Sequence, residues 1–268
     1  MLNLKNIKYT YSNSTKSALN DVSLEISKHQ KTAILGHNGS GKSTLFLIAD
    51  GLIKPQSGTL YLHGKPLTDD RSTLRHWRRN IGLAFQDPDR QLVAATVAED
   101  VSYGLCNLQL SENEIARQLD RTLTEFELQD LANTPIHHLS LGQKRRVALA
   151  GVMAVEPELL LLDEPTAYLD RSQLQTFRRN LDRLSESGTT LVVATHNLDF
   201  AYDWADRILV LHQGRLVLDG TPDTVFTRSR EMPHLNLGMP QLWEIWKTLC
   251  PSDESPSPRN LDELKQRL

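Results

Sequence analysis

The chain has 268 residues, of which 39% are hydrophobic and 24% charged, a composition typical of a globular protein with an ordinary core. A formal net charge of −3 argues against nucleic-acid binding, and no apolar run reaches the 18 residues that could span a bilayer. Cys106 and Cys250 lie far apart and predict neither a disulfide framework nor a zinc site, so we expect a cytoplasmic protein.

The first thirty residues predict antiparallel β-structure. Two alternating segments, residues 2–11 and 18–27, flank a polar turn. The start of the chain lacks the basic and apolar regions of a signal peptide. Tyr11 lies just before the turn, where its ring could stack on a nucleotide base or pack against a neighbouring strand. From the residues themselves, both interpretations stay open.

Residues 36–44, GHNGSGKST, follow an apolar run at 32–35 and precede another at 45–49. Strand, glycine turn and helix in this order predict a phosphate-binding loop, in which backbone N–H groups surround phosphate oxygens at a helix N-terminus. Lys42 would reach the β- and γ-phosphates, and the Ser43 hydroxyl would ligate Mg²⁺. The predicted nucleotide contacts in this loop are Gly36, His37, Asn38, Gly39, Ser40, Gly41, Lys42, Ser43 and Thr44.

Several segments between residues 71 and 155 predict helices around one further strand. Residues 71–79 predict a basic helix, which is either a solvated face or a binding patch. A buried-type strand at 81–85 ends in Gln86, whose amide could contact Mg²⁺ or an attacking water. Residues 111–132 predict a helix capped by Ser111 and Glu114.

Residues 139–155 predict another helix, and its first turn contains Ser140 and Gly142. Such a helix start suits an anion, although a capped core helix has the same pattern.

Two later strands end in side chains that suit phosphate chemistry. Four leucines at residues 159–162 predict a buried central strand that ends in Asp163 and Glu164. Asp163 suits a Mg²⁺ contact, and Glu164 suits a general base that polarises water toward the γ-phosphate. The alternative is an acidic pair that merely closes the strand. Residues 189–196 predict the last core strand, which places His196 at its end, in the same crevice.

Together these motifs resemble the nucleotide-binding subunit of an ABC transporter, over roughly residues 1–220. GHNGSGKST matches the Walker A motif, LLLLDEPTA matches Walker B with its following glutamate, and LSLGQ at 139–143 matches the signature usually written LSGGQ. The adenine-stacking aromatic, the Q-loop glutamine, the D-loop and the switch histidine correspond to Tyr11, Gln86, Tyr168-Leu169-Asp170 and His196.

The resemblance implies a Mg²⁺-dependent ATPase whose two copies enclose two ATP molecules. Each ATP would be held by the Walker A loop of one subunit and by the signature of the other. The residues implied are Ser140, Gly142 and Gln143 on the signature side, Glu164, His196 and Gln86 in catalysis, and Ser43, Gln86 and Asp163 at Mg²⁺.

The fold implied is α/β: a P-loop NTPase (RecA-like) core with an antiparallel β subdomain and an α-helical ABC subdomain at about residues 88–150. This nucleotide-binding domain takes in residues 1–230, and residues 231–268 form a C-terminal helical extension and tail. Within the extension, residues 252–260 resemble a linker, and the last eight residues predict a marginal helix or disorder. An apolar stripe there packs on the domain or contacts a second copy; its members are Leu242, Ile245, Trp246 and Leu249.

A narrower resemblance, carried by residues 86–104 and 139–154, is to the ATPases of energy-coupling-factor importers, most of all the cobalt/nickel branch. It implies a peripheral protein on the cytoplasmic face of the membrane that works with integral membrane components. The second ATPase subunit is an identical copy or a related chain. We expect the membrane component to dock on the surface from Gln86 to Val101.

Importers of biotin or another vitamin carry similar ATPases and remain an alternative cargo class. A non-transport ABC protein of translation or DNA repair would carry a second domain or a long coiled-coil insertion. A soluble P-loop kinase would leave the signature and the D-loop unexplained.

Two positions depart from the family pattern. Leu141 replaces the first glycine of the signature and is expected to crowd the partner's nucleotide, and His29 replaces a turn glycine at the cost of a local adjustment. The adjacent pair His137 and His138 is not expected to bind metal, because neighbouring side chains point apart and no further ligand is suitably spaced.

Overall fold

The structure is a computed structural model that describes residues 1–108, 110–167, 169–251 and 255–267. Within these ranges the strands are β1 (Leu2–Tyr9), β2 (Leu19–Ile26), β3 (Thr32–Leu35), β4 (Ser57–Leu62), β5 (Lys65–Pro66), β6 (Ile81–Ala84), β7 (Leu159–Asp163), β8 (Thr190–Thr195), β9 (Arg207–His212) and β10 (Arg215–Gly220). The helices are α1 (Lys42–Ala49), α2 (Arg71–Asn80), α3 (Val97–Cys106), α4 (Glu112–Glu125), α5 (Leu141–Met153), α6 (Arg171–Glu186), α7 (Leu198–Trp204), α8 (Pro222–Arg230), α9 (Gln241–Leu249) and α10 (Leu261–Arg267).

The N-terminal strands form the predicted antiparallel sheet, in the order β2-β1-β4-β5. Its alternating sequence buries one face, so that Leu19, Val22, Leu24 and Ile26 of β2 point into the core. Tyr11 lies two residues beyond the end of β1, and its carbonyl accepts from the N–H of Ser14 at 2.9 Å, which makes it the first residue of a turn.

The second sheet has the order β10-β9-β3-β8-β7-β6, in which β10 pairs antiparallel with β9 and the other pairs are parallel. Every residue of β3, β7 and β8 is buried, which explains why these strands are continuous apolar runs. Because the three are parallel neighbours, their carboxyl ends lie at one edge of the sheet. The segments after them are therefore brought together there.

Three clusters of buried side chains hold these layers. One lies between the two sheets and includes Phe46 of α1 and Trp77 of α2. A second packs the other face of the parallel sheet against helices α6, α7 and α8. A third joins α3, α4 and α5 through Val101, Leu123 and Val147. The fold confirms the predicted α/β class, with an antiparallel sheet and a helical part.

The α4 helix is shorter than predicted. Ser111 caps it with Glu114 as expected, but α4 ends at Glu125 and not near residue 132. Glu127 takes a left-handed conformation with φ of 53°, which breaks the helical path, and Gln129–Leu131 form a separate 3-10 turn.

In the C-terminal extension, described here at residues 231–251 and 255–267, the packing differs from the prediction that the whole apolar stripe lies on the domain. Trp243 and Trp246 are the buried side chains of α9, whereas Ile245 and Leu249 are 48% and 57% exposed. Ile245 and Leu249 therefore do not pack on the domain, because two bulky indoles set the inward face; a contact with a second copy stays a prediction. Ser257, in the predicted linker, is only 2% exposed, and α10 is helical. None of the described helices combines the length and the apolar character that a membrane span requires.

Candidate active site

Lys42 lies at the start of α1 with its ammonium enclosed by oxygen atoms. Its Nζ donates hydrogen bonds to the carbonyls of Gly36 at 2.7 Å and His37 at 3.4 Å, and it lies 3.3 Å from Glu164 Oε1. The lysine side chain is only 5% exposed. The loop from β3 thus aims a buried positive charge into its own concave face.

Two glycines of this loop stand where a side chain would not fit. A Cβ on Gly36 would lie 2.3 Å from the carbonyl oxygen of Leu211, and one on Gly41 would lie 2.5 Å from that of Ala18. Gly41 also takes φ of 109°, which L residues with a side chain rarely adopt. The glycines predicted from the sequence are therefore required by the backbone path. Ser40 Oγ is buried in the same loop without a hydrogen-bond partner among the described residues.

Asp163 and Ser43 provide a donor set that fits Mg²⁺. Burial raises the pKa of Asp163 above its ordinary value, Glu164 adds to the shift, and a hydrogen bond from Ser43 opposes it. Asp163 Oδ1 has no hydrogen-bond partner in the described part of the chain. A buried carboxylate oxygen beside a serine hydroxyl is a set of hard oxygen ligands, and a divalent cation there would keep the carboxylate ionised.

Glu164 is held from both sides in a strained backbone conformation. Its φ is 47°, and its N–H donates to the carbonyl of Ala194 at 2.8 Å, which fixes the residue against β8. Oε2 accepts hydrogen bonds from His196, from the backbone N–H at 3.2 Å and from Nδ1 at 2.8 Å. Because the carboxylate oxygen Oε2 is an acceptor, His196 Nδ1 is assigned as the donor of this hydrogen bond. The His196 side chain is 64% exposed.

Tyr11 and His37 connect this loop to more distant parts of the chain. The Tyr11 hydroxyl lies 3.1 Å from Thr44 Oγ1, and its ring is edge-on to Tyr9 with 41% of the residue exposed. His37 Nε2 lies 3.2 Å from the carbonyl of Leu235 and 2.8 Å from that of Asn236. The sequence did not indicate the contact of His37 with Leu235 and Asn236.

The amide that fixes the segment after β6 is Gln91. Gln86 is exposed two residues beyond the strand. Gln91 Oε1 accepts from the N–H of Phe85 at 3.0 Å, and its Nε2 donates to the carbonyl of Ala148 in α5 at 2.8 Å. Sequence reasoning missed Gln91, because its partner in α5 is 57 residues away along the chain. Its role is to position the Gln86 segment against α5.

The predicted signature forms the exposed start of α5. Ser140 and Gln143 make a reciprocal capping box, and Leu141 is 47% exposed. Among the described residues, no hydrogen bond or ion pair joins residues 140–143 to residues 36–44 of the same chain. The structure therefore brings together the loop, Asp163, Glu164 and His196, and leaves Gly142 and its neighbours on a separate surface.

The basic residues after the signature tie α5 to the site. Lys144 forms an ion pair of 2.6 Å with Asp89, next to the Gln86 segment, and Arg145 donates to the carbonyl of Ala167 at 2.5 Å, three residues beyond Glu164. Of the predicted D-loop, Tyr168 lies outside the described residues, and Asp170 caps α6 by accepting from the N–H of Gln173.

Comparison with known proteins gives consistent matches. The ABC transporter family model matches residues 19–167. A protein of Thermosynechococcus vestitus, provisionally named as an ABC transporter ATP-binding protein, is 49% identical over 100% of this chain and 95% of its own length. The energy-coupling factor transporter ATP-binding protein EcfA of Carboxydothermus hydrogenoformans is 40% identical over 99% of this chain and 96% of its own. The solved structure of cbiO1 from Clostridium perfringens, described as part of the ABC transporter complex cbiONQ, is 39% identical and superposes with a TM-score of 0.75, covering 91% of this chain and 97% of that one.

Proposed function

Because this chain belongs to the ABC transporter family and is an ATPase that couples ATP hydrolysis to transport, we propose that it energises an energy-coupling-factor importer. The catalytic part of this proposal rests on the position of the Glu164 carboxylate. Its Oε1 lies 3.3 Å from Lys42 Nζ, and its Oε2 lies 2.8 Å from His196 Nδ1. A general base needs both a fixed position and a partner that orients it.

In this mechanism Lys42, whose ammonium lies between the carbonyl of Gly36 and the carboxylate of Glu164, exchanges that carboxylate for the β- and γ-phosphate oxygens of ATP. Glu164 is then free to accept a proton from the attacking water. His196 holds the carboxylate through Nδ1 and offers its other nitrogen to the reaction. Tyr11 supplies an aromatic face for the adenine beside Thr44.

Ser43, Asp163 and Gln86 are the residues that would hold Mg²⁺. Bound there, the ion neutralises phosphate charge as a Lewis acid. The unpartnered Asp163 Oδ1 supports this assignment. Gln86 would reach the site from the exposed segment that Gln91 fixes against α5.

The exposed start of α5 would complete the nucleotide site of a second ATPase subunit. Ser140, Gly142 and Gln143 lie on a helix N-terminus that is open to solvent, and the positive end of a helix favours phosphate. The second subunit would be a copy of this chain or a related one.

The integral membrane component would dock along Gln86 to Val101, on the helical side of the site. Leu83 and Tyr103, which precede and follow this segment in the chain, line a groove of about 670 Å³ together with Arg78 and Gly104 among others. Docking there would place the protein peripherally on the cytoplasmic face. The cargo we propose is cobalt or nickel ion, because a solved relative carries the name cbiO1 and the residue 86–104 segment resembles that branch. A vitamin such as biotin is the second candidate.

Glu164→Gln tests the catalytic assignment. The amide keeps the shape but not the charge of the base, so hydrolysis should fall by about 10²-fold or more while ATP still binds, and ATP should trap a dimer detectable by light scattering. The control is Glu158→Gln. Glu158 directly precedes β7, whereas Glu164 directly follows it, and the Glu158 carboxylate pairs with Lys28, so this variant should hydrolyse ATP at the wild-type rate. Wild-type hydrolysis by Glu164→Gln would remove Glu164 from the mechanism.

A further inference from the structure

We propose that Arg259, in the C-terminal extension, is a positioning residue for His196 and acts through α7. The extension holds α7 at both ends, and α7 begins two residues after His196. The inference rests on the proposed role of His196 in hydrolysis. It gives the C-terminal extension, which lies outside the nucleotide-binding motifs, an indirect role in ATP hydrolysis.

Arg259 caps the C-terminal end of α7. Its Nε donates to the carbonyl of Tyr202 at 3.0 Å, and its Nη2 donates to that of Asp203 at 3.2 Å and to that of Ala205. The last carbonyls of a helix lack partners within the helix and carry partial negative charge. One guanidinium therefore satisfies two of them and the carbonyl of the next residue after the helix, and it fixes where this end of α7 lies.

Two further contacts come from other parts of the extension. The Tyr202 hydroxyl donates to the carbonyl of Ser257 at 3.1 Å, in a buried position. Near the N-terminal end of α7, Asp199 Oδ1 accepts from the backbone N–H of Gln241 at 2.7 Å. The extension thus contacts this seven-residue helix through three of its residues, Gln241, Ser257 and Arg259.

The N-terminal end of α7 leads directly to the site. Asn197 caps the helix by accepting from the N–H of Phe200 at 3.0 Å, and His196 is the preceding residue. A helix this short moves as one body, so a shift of α7 carries His196 with it. Since the His196 side chain is 64% exposed, little packing restrains it apart from Glu164, and the position of α7 decides whether the 2.8 Å bond to Glu164 forms.

The same extension also contacts the phosphate-binding loop. His37 Nε2 faces the carbonyls of Leu235 and Asn236, which are both acceptors, so this nitrogen is the donor. The extension therefore joins the loop at one point and the helix of His196 at others.

The test compares Arg259→Ala and Arg259→Lys with Arg267→Ala. Arg267 is a matched control because it donates to the carbonyl of Pro256 and lies over the ring of Trp246, both inside the extension. Arg259→Ala should lower kcat about tenfold while KM for ATP and the affinity for a fluorescent ATP analogue stay unchanged, because misplacing a catalytic group slows chemistry without weakening binding. Arg259→Lys should recover part of the loss, and Arg267→Ala should match the wild type.

The decisive measurement is single-turnover hydrolysis in a His196→Ala background. There Arg259→Ala should cause no further loss, since the group that it positions is gone. An equal tenfold loss in both backgrounds, or an unchanged kcat in Arg259→Ala, would overturn the positioning role. Wild-type hydrolysis by His196→Ala would instead overturn the role of His196, and the inference with it.

Gln241→Pro gives a second route if Arg259→Ala does not fold. Gln241 is the first residue of α9, where proline is tolerated, and the variant removes the N–H that Asp199 accepts. It should lower kcat in the same selective way and have no effect in the His196→Ala background. Unchanged kcat in folded Gln241→Pro would show that the hydrogen bond from Gln241 to Asp199 does not position α7 for hydrolysis.

Discussion

Leu141 is the residue at which this chain departs most from its family pattern. It is 47% exposed in the first turn of α5, beside the cap residue Ser140. If its side chain crowds the nucleotide of the second subunit, Leu141→Gly should raise the ATPase rate at saturating ATP, or the ATP-driven dimerisation measured by light scattering.

Leu261→Gly is the control for this change, because Leu261 is also exposed and also begins a helix, α10. It separates the loss of a side chain at a helix start from relief of crowding at the nucleotide. Unchanged hydrolysis and dimerisation in Leu141→Gly would mean that the site accommodates leucine by a small shift.

Asp50, at the C-terminal end of α1, should make stability depend on pH. Burial raises the pKa of its carboxyl from 3.8 to about 7, against the opposing charge of Arg78. The folded protein binds this proton more tightly than the unfolded chain does. Ionisation of the carboxyl therefore lowers the free energy of unfolding progressively as pH rises from about 4 to about 7. The free energy of unfolding of Asp50→Asn, taken relative to that of the wild type, should therefore be roughly 1–3 kcal/mol greater at pH 8 than at pH 5.

Urea denaturation at the two pH values measures this difference. Asp69→Asn serves as the control, since its side chain is 80% exposed, and its stability difference from the wild type should be the same at both. A pH-independent difference for Asp50→Asn would show that burial does not perturb this carboxyl.

At the scale of elements, β6 depends on a glycine. A Cβ on Gly82 would lie 2.3 Å from Val152 Cγ1 and 3.2 Å from Pro157 Cγ, and neither neighbour is the end of a long flexible chain. Gly82→Ala should reduce the free energy of unfolding by about 1–3 kcal/mol, as overpacking does. Urea denaturation checks the value.

Gly151→Ala is the matched comparison in the α5 helix that packs on β6. Its Cβ would come no closer than 3.6 Å to the carbonyl of Asp100, an ordinary contact, and alanine favours the helix by about 1 kcal/mol. This variant should therefore be as stable as the wild type or more so. Equal losses in both glycine variants would contradict the packing argument for β6.

The elements that build the site were predictable because their signals are local. The apolar runs of β3, β7 and β8 and the residues directly after them already placed Lys42, Asp163, Glu164 and His196 at one edge of the sheet. What could not be predicted depends on contacts between distant segments. Gln91 bonds to α5, and Arg259 bonds to carbonyls more than fifty residues earlier. No periodicity in the sequence marks either contact.

His29 shows the same distinction on a smaller scale. The sequence predicted only a local turn adjustment at this departure from the family's glycine, whereas His29 takes φ of 58°, in the left-handed region that glycine adopts readily. Its N–H donates to Thr190 Oγ1 at 3.2 Å, a partner 161 residues away that holds the turn. Neither this conformation nor its distant support was predicted from the sequence.

At the scale of the whole molecule, this chain should bind the nucleotide but not the cargo. Purified alone, the protein should bind ATP with Mg²⁺ but show no stoichiometric, tight Co²⁺ or Ni²⁺ site by calorimetry. No group of three or more His, Cys, Asp or Glu side chains suited to a metal ion occurs in the described ranges. Cargo recognition would then belong to the membrane components of the importer.

Reconstitution with those components tests the cargo itself. Proteoliposomes should accumulate Co²⁺ or Ni²⁺ when ATP is supplied, and Lys42→Ala should abolish uptake, because the loop then lacks the buried charge that meets the phosphates. Lys54→Ala is the control, since Lys54 pairs with Asp69 on the surface and its side chain is 73% exposed, and uptake should persist. Accumulation of biotin or another vitamin without metal would move the protein to the vitamin branch and leave its ATPase assignment intact. Uptake that survives Lys42→Ala would mean that this chain does not supply the energy for transport.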